Sequence, residues 1–499
     1  MAFKLANISG KAALVKGEHY YDLKVISNNT FDEDTLNALN RLDELHELNG
    51  TLDEKTPTGL LEEAKIDAPI SSPKNCYAVG LNYRNHAEEA GMEIPSVPMI
   101  FTKHTSCLVG PHAEIEMRSD HVDYEAIEGY QITSEIYFQQ EADYDAALVG
   151  TYDVLQWLFF NIQLGAIASE ITLCGGESAT DYIGIQQIDD MTHYPENNVL
   201  RQIWQFLYEG VNRANYMEEN KANIDFEGKE AMYGEVYFLR AYYYFELVKF
   251  FGDVPLFTEA RLTAGQAGTL TRTPKEEVYA QIELDLQNAI ASLPNSQSQV
   301  GRVNKYTAYA LLGKVLLYQD KFTEAASALD NVIGVYSLVS DYGSQFLRFG
   351  ENGPESVFEI QYSNQSNWYD WGCAHCSEGN YAIIMNGPRG WSGPEYAQGW
   401  SFNVPTEEFY NSFEEGDSRR DATVLDIEAF AAATGASYTE GYDHTGYFNN
   451  KYIPRAGESG GQTELNYLTN FRIIRYSDVL LLSLIHISEP TRPRLISYA

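Results

Sequence analysis

Along the first seventy residues, short apolar runs alternate with polar turns, and the acidic stretch FDEDTLNALNRLDELHEL then carries a helical period. YAVGLNYRNHAEE (77–89) reads as a strand, a glycine turn and a helical turn. From Gly129 onward the period is helical. Val149, Tyr152, Leu155, Trp157 and Leu158 can share one broad apolar side. A loop rich in Gly, Ser, Thr and Asp follows, CGGESATDYIGIQQIDD (174–190), and a second helix is expected over NVLRQIWQFLYEGVNRANYMEEN.

The strongest local pattern is GEVYFLRAYYYFELVKFFGDVPLF, with Phe238, Tyr242 and Phe245 at i, i+4 and i+7 beside a stripe of Tyr237, Ala241, Tyr244 and Val248. That helix should stop near Phe251, punctuated by Gly252 and Pro255. RTPKEEVYAQIELDLQNAIASLP predicts another, with Thr273 as N-cap, Pro274 in the first turn and Glu276 completing a capping box. NKYTAYALLGKVLLYQDKFTEAASALDNVI reads as a helical hairpin of tetratricopeptide type, with Leu312-Gly313, Tyr318, Phe322 and Ala325-Ala326 at the close-packing positions. Such hairpins bury their apolar faces only by stacking on neighbours, so a mainly α architecture of antiparallel pairs is expected.

Length allows two or three domains, and an apolar fraction of 44% is ample for a core. No apolar run approaches a membrane-spanning helix. A formal charge of −37 argues against nucleic acid or an anionic lipid surface as a partner, both being polyanions. Neutral ligands such as glycans are compatible with it. The 36 tyrosines suit sugar recognition, although aromatic-rich helices also raise that count. Among five cysteines the only close pair is Cys373-Ala374-His375-Cys376, and one CxxC without a second ligand pair points to incidental thiols rather than zinc.

Residues 1 to about 125 carry candidate chemistry. On a helix His86 and Glu89 share a face, where the carboxylate can orient the imidazole and raise its basicity for water activation. GLNYRNHAEE, PMIFTKHTS and VDYE, in that order, resemble the fumarylacetoacetate hydrolase family. The resemblance implies a small α+β fragment of a metal-dependent hydrolase, in which Mg²⁺ or Mn²⁺ polarises an acylpyruvate or diketo acid. It makes His86 and Glu89 the water-activating pair, Lys103 a substrate contact and Glu125 the first metal carboxylate. The family's second carboxylate falls on Ile127, and one carboxylate holds a hard cation poorly. The head is therefore expected to be a vestigial, inactive fragment, with hydrolase or isomerase activity through it as the alternative function for the chain.

YGEVYFLRAYYYFELVKFFGDVPL, the RTPKEEVYAQIELDLQNAI helix, GRVNKYTAYALLGKVLLY, GWSFNVPTEEFYNSFEEGDSRRDAT and FRIIRYSDVLLL resemble the SusD/RagB family of nutrient-binding outer-membrane lipoproteins. The resemblance spans residues 127–481. It implies tetratricopeptide-like helix pairs with an irregular, loop-rich ligand region, and no cofactor and no chemistry. The implied function is capture of oligosaccharide, or in some members peptide, for a TonB-dependent transporter of the SusC type. No lipobox cysteine or secretion signal precedes Gln131, so the chain as written is expected to stay cytoplasmic although the SusD-like parent belongs to the outer membrane. After Leu481 the family's closing helix is not expected to follow.

For the ligand site, the loop-rich stretch from Tyr362 to Trp400 holds Trp368, Tyr369, Trp371, Tyr381, Trp391, Tyr396 and Trp400 among Gly, Asn and Ser. Rings on loops can stack on pyranose faces while Asn and Asp bond hydroxyls. Trp368, Tyr369, Trp371 and Trp391 are the leading candidates, and Glu177, Asp181 and Tyr182 in the 174–190 loop form a second set. Trp400, inside GWSFNVPT, reads as structural. The last segment, 482–499, begins LSLIHISEPTR and resembles a translated sequencing-library adapter. It is expected to leave the helical pattern and is set aside as an artefactual tail.

Overall fold

The computed structural model describes residues 3–68, 70, 77–80, 99–102, 137–262, 269–366, 371–460 and 464–488. The chain divides into two compact units, Met1–Gln131 and Ile132–Ala499.

In the first unit the alternating apolar runs form an antiparallel meander, β1 (Lys4–Ile8), β2 (Lys11–Lys16), β3 (His19–Asp22) and β4 (Gly59–Leu60). Ser9 and Gly10 both take positive φ between β1 and β2, the two-residue turn whose twist matches the paired strands. Helix α1 (Leu42–Gly50) closes a small core of Leu14, Tyr21, Leu23, Phe31, Leu45 and Leu52. Strands β5 (Tyr77–Gly80) and β6 (Met99–Thr102) pair antiparallel. His86, Glu89, Lys103, Glu125 and Ile127 lie outside the described residues.

The second unit is mainly α. The helices that build its scaffold are α2 (Glu141–Asp153), α3 (Phe160–Ile167), α4 (Ile183–Asp189), α5 (Asn198–Glu219), α6 (Lys229–Phe251), α7 (Lys275–Ser292), α8 (Lys305–Leu317), α9 (Phe322–Asp330) and α10 (Tyr476–Ser488), and further short ones lie at Ala382–Asn386, Glu407–Asn411, Arg419–Thr423 and Ile427–Thr434. Helix α6 is the spine, buried along most of its length and packed against both α5 and α7. It stops at Phe251 because Gly252 takes φ 66° and its N–H returns to Val248. Close packing needs small residues at two crossings. A Cβ on Gly210 would meet the Tyr243 ring at 2.5 Å, and one on Gly313 would meet Leu329 Cγ at 2.4 Å.

The tyrosine excess is largely a property of this scaffold. Tyr144, Tyr233, Tyr243 and Tyr244 are buried, and their hydroxyls donate to the carbonyls of Asn220, Met217, Thr151 and Phe257 at 2.6–2.8 Å. Each ring fills core volume while its tip satisfies a backbone oxygen.

Three local expectations change. Val149 is 52% exposed, and the stripe of α2 is instead Tyr144, Leu148 and Thr151. That stripe continues in phase through Leu155 and Leu158, at spacings of four, three, four and three, and Val149 falls on the other side of the helix. Helix α7 begins at Lys275 with Pro274 as its cap, because the Lys275 N–H is taken by Asp253 Oδ1 at 2.9 Å from the preceding loop. Helix α10 does not end near Leu481. It runs to Ser488, with Leu482 packed on the core, Ser483 buried and the Ser483 hydroxyl donating to Leu480 O at 2.8 Å.

The irregular half is tied together by short antiparallel pairs. These are β7 (Thr172–Gly175) with β10 (Phe402–Pro405), β8 (Ser356–Ile360) with β14 (Phe471–Arg475), β9 (Arg389–Ser392) with β12 (Ser437–Thr439), and β11 (Val424–Asp426) with β13 (Tyr447–Asn449). A separate small core of Tyr396, Leu425, Ile427, Phe448 and Ile453 sits here.

Candidate functional site

Two clusters hold the predicted ligand residues that fall in the described part of the chain. The first is a 3₁₀ turn, Trp371–Cys376. Trp371 is 45% exposed, a large apolar ring presented to solvent, and its indole N–H donates to Glu464 Oε2 at 3.3 Å. Four residues on, His375 packs into the scaffold with its ring tilted, its centre 5.0 Å from Trp157 and 4.8 Å from Phe206. Burial there disfavours the imidazolium and pulls its pKa below the usual value. The next turn is pinned by the Ser377 hydroxyl, 3.0 Å from Asn466 Oδ1, and by Asn380 Nδ2 donating to Thr469 O at 2.8 Å.

Cys373 and Cys376 are joined in a disulfide, which corrects the expectation of incidental thiols. Their separation of three residues, across a turn kinked at Cys373, brings the two sulfurs together. Cys373, His375 and Cys376 place ligating atoms within 4.8 Å of one another, but the disulfide engages both sulfurs and leaves no thiolate for a metal. Trp368 and Tyr369 lie outside the described residues.

The second cluster is built on consecutive glycines at the end of β7. Gly175 (φ 71°) and Gly176 (φ 104°) bend the strand back, and the Gly176 N–H donates to Ser401 O at 2.7 Å. The loop then folds on Asp181, whose Oδ2 accepts from the Glu177 N–H at 2.8 Å. Arg389 draws this loop to the Trp400 region. Its Nη2 donates to Asp181 Oδ2 at 2.9 Å, its Nη1 lies 3.5 Å from Glu177 Oε2, and its Nε donates to Trp400 O at 3.0 Å. The guanidinium carbon stands 5.0 Å from the centre of the Trp400 ring. Tyr182, in the left-handed region at φ 48°, meets Phe402 edge to face at 6.2 Å, and burial pushes its hydroxyl up to about 12.

Glu177 and Asp181 are thus brought together, and the residue that joins them, Arg389, was missed by sequence reasoning. Its only local signal is a cation inside an aromatic- and glycine-rich loop, since its acidic partner is 208 positions away. Trp391 lies two residues further along β9, half-buried against Tyr396 (5.9 Å) and Phe430 (6.0 Å) of the small core. Tyr381 and Tyr396 are buried. The two clusters therefore combine exposed or half-exposed aromatic faces with a charged hydrogen-bonding group, a donor set suited to a neutral polyhydroxyl ligand.

A family model described as starch-binding, associating with the outer membrane, matches residues 169–317. A solved laminarin-binding SusD-like protein is 34% identical, with a TM-score of 0.66 over 71% of this chain and 82% of that one. Surface glycan-binding protein A from Bacteroides thetaiotaomicron, solved in complex with laminarihexaose, is 26% identical with a TM-score of 0.64, over 71% of this chain and 80% of that one. Residues 75–129 match the C-terminal domain of fumarylacetoacetate hydrolase. There the Dictyostelium discoideum fumarylacetoacetate hydrolase domain-containing protein 2 homolog is 45% identical over 67 residues, which cover 13% of this chain and 22% of that protein.

Proposed function

The chain belongs to the SusD-like family, and from that premise we propose that its Ile132–Ala499 unit binds a laminarin-type glucan without cleaving it. One observation carries the reading: a 34%-identical fold whose solved relative binds laminarin coincides with an exposed tryptophan on a turn anchored in the scaffold. Trp371 offers a stacking face to a glucose ring, and Arg389 with Glu177 and Asp181 forms a second cluster whose donors and acceptors suit sugar hydroxyls. Delivery to a TonB-dependent transporter of the SusC type at the outer membrane is the role that fits such capture.

The exposed part of Trp371 is roughly 110 Å² of a full indole, so covering it is worth at most about 3 kcal/mol at ~25 cal/mol per Å². Affinity electrophoresis tests the proposal. Migration should slow in gels cast with laminarin, and Trp371→Ala should release at least about tenfold of that retardation. Equal mobility in laminarin-containing and plain gels would overturn it.

For the head, the match at 75–129 favours a separate reading as hydrolase-derived, and we propose that it turns over nothing. Glu125 followed by Ile127 is a donor set that does not fit a hard divalent cation. Magnesium-dependent turnover of oxaloacetate or an acylpyruvate, lost in His86→Ala, would contradict this.

A further inference from the structure

The turn that carries Trp371 has two unequal sides. Its inner side is fixed by the His375 ring against Trp157 and Phe206 and by the buried Ser377 beside Asn466. Its outer side presents Trp371 to solvent, with the indole N–H on Glu464. The backbone between them is a 3₁₀ turn interrupted at Cys373 (φ −140°, ψ 71°), so helical hydrogen bonding does not run through it unbroken. The Cys373–Cys376 disulfide spans that interruption. One of its ends is two residues from Trp371 and the other adjoins Ser377.

We propose that the Cys373–Cys376 disulfide is a positioning element for glycan capture, holding Trp371 in the orientation that stacks on the sugar. The proposal rests on the reading of Trp371 as a ligand-stacking residue. Closing a short covalent ring across the kink removes conformations that would otherwise be frozen out only on binding. Opening it leaves the inner side in place, because His375 and Ser377 hold independently, and frees the Trp371 side. Cys376 is exposed, so a water-soluble phosphine can reach the bond. In that reaction the phosphine is oxidised to its oxide with the oxygen of one water molecule, and both sulfurs become thiols.

The test is calorimetric titration of the full chain with laminarihexaose, in four states: untreated, reduced with tris(2-carboxyethyl)phosphine, Trp371→Ala untreated, and Trp371→Ala reduced. Reduction should weaken binding by the parent chain about tenfold, and reoxidation should restore it. It should change the residual affinity of Trp371→Ala by less than about twofold, because the disulfide acts through that ring. Cys376→Ser should reproduce the reduced affinity and be insensitive to the phosphine. Equal affinity of the parent chain before and after reduction overturns the proposal while leaving the glucan reading standing. Equal weakening of parent and Trp371→Ala also overturns it, assigning the disulfide to general stability. No binding by the untreated chain refutes the glucan reading, and this proposal with it.

Discussion

Asp285→Ala is the sharpest perturbation of the helical scaffold. Arg240 of α6 and Asp285 of α7 form a two-pronged ion pair at 2.8 and 2.7 Å, with side chains only 5% and 1% exposed. Arg240 also donates to Asn215 Oδ1 at 2.9 Å and Thr258 O at 2.7 Å, so the guanidinium is fixed on three sides. Burial works against its charge, but the hydrogen bonds and field of Asp285 outweigh that and hold its pKa above the ordinary value. Removing the carboxylate strands a buried cation, which costs about 3–5 kcal/mol. A unit of about 350 residues unfolds with an entropy near 0.7 kcal/mol/K, so the melting temperature should fall by about 4–7 °C. Differential scanning calorimetry reads this directly. Replacing both partners by apolar residues (Arg240→Met with Asp285→Leu) should recover most of the loss, since no buried charge is then left alone. A single variant within about 1 °C of the parent, or a double variant worse than the single, would refute the reasoning.

Three further outcomes follow from the packing. Gly313→Ala should lower the melting temperature by about 1–4 °C, because the added methyl meets Leu329 at 2.4 Å where α8 crosses α9, and an unchanged melt would contradict that crossing. Gly175→Ala adds left-handed strain of about 1–2 kcal/mol and places a Cβ 2.2 Å from Ser401 O. It should part β7 from β10 and speed hydrogen exchange at the Gly176 amide, and unaltered protection would argue against this register. His375 has its pKa lowered by burial, so the unfolded chain takes the proton first as pH falls through the usual imidazole range near 6.5. Its contribution is constant above that range and declines on acidification toward the lowered folded value. The melt should drop between pH 7 and 5.5, part of that drop should vanish in His375→Gln, and an identical pH profile for the variant would refute it.

What was legible in the sequence is what is local. The end of α6 at Phe251 needed only Gly252 and the preceding apolar stripe, and the α8–α9 hairpin showed in its periodicity and in Gly313. Where distant segments decide, the reading slipped. The start of α7 moved by one residue because Asp253, 22 positions earlier, supplies the cap. The tyrosine count spoke ambiguously, since the buried hydroxyls find carbonyls up to 92 residues away. Trp391 and Trp371 look alike as letters in a loop, yet only one meets Tyr396 and Phe430 in a small core. The continuation of α10 past Leu481 rests on apolar residues inside the adapter-like stretch, of which Leu482 packs on the core.

The measurement that bears most directly on the account is a calorimetric titration of the chain with laminarihexaose, followed by chromatography of the recovered sugar. The account predicts saturable binding with the hexasaccharide recovered intact. Heat traces indistinguishable from dilution, or shorter oligosaccharides in the recovered fraction, would contradict it.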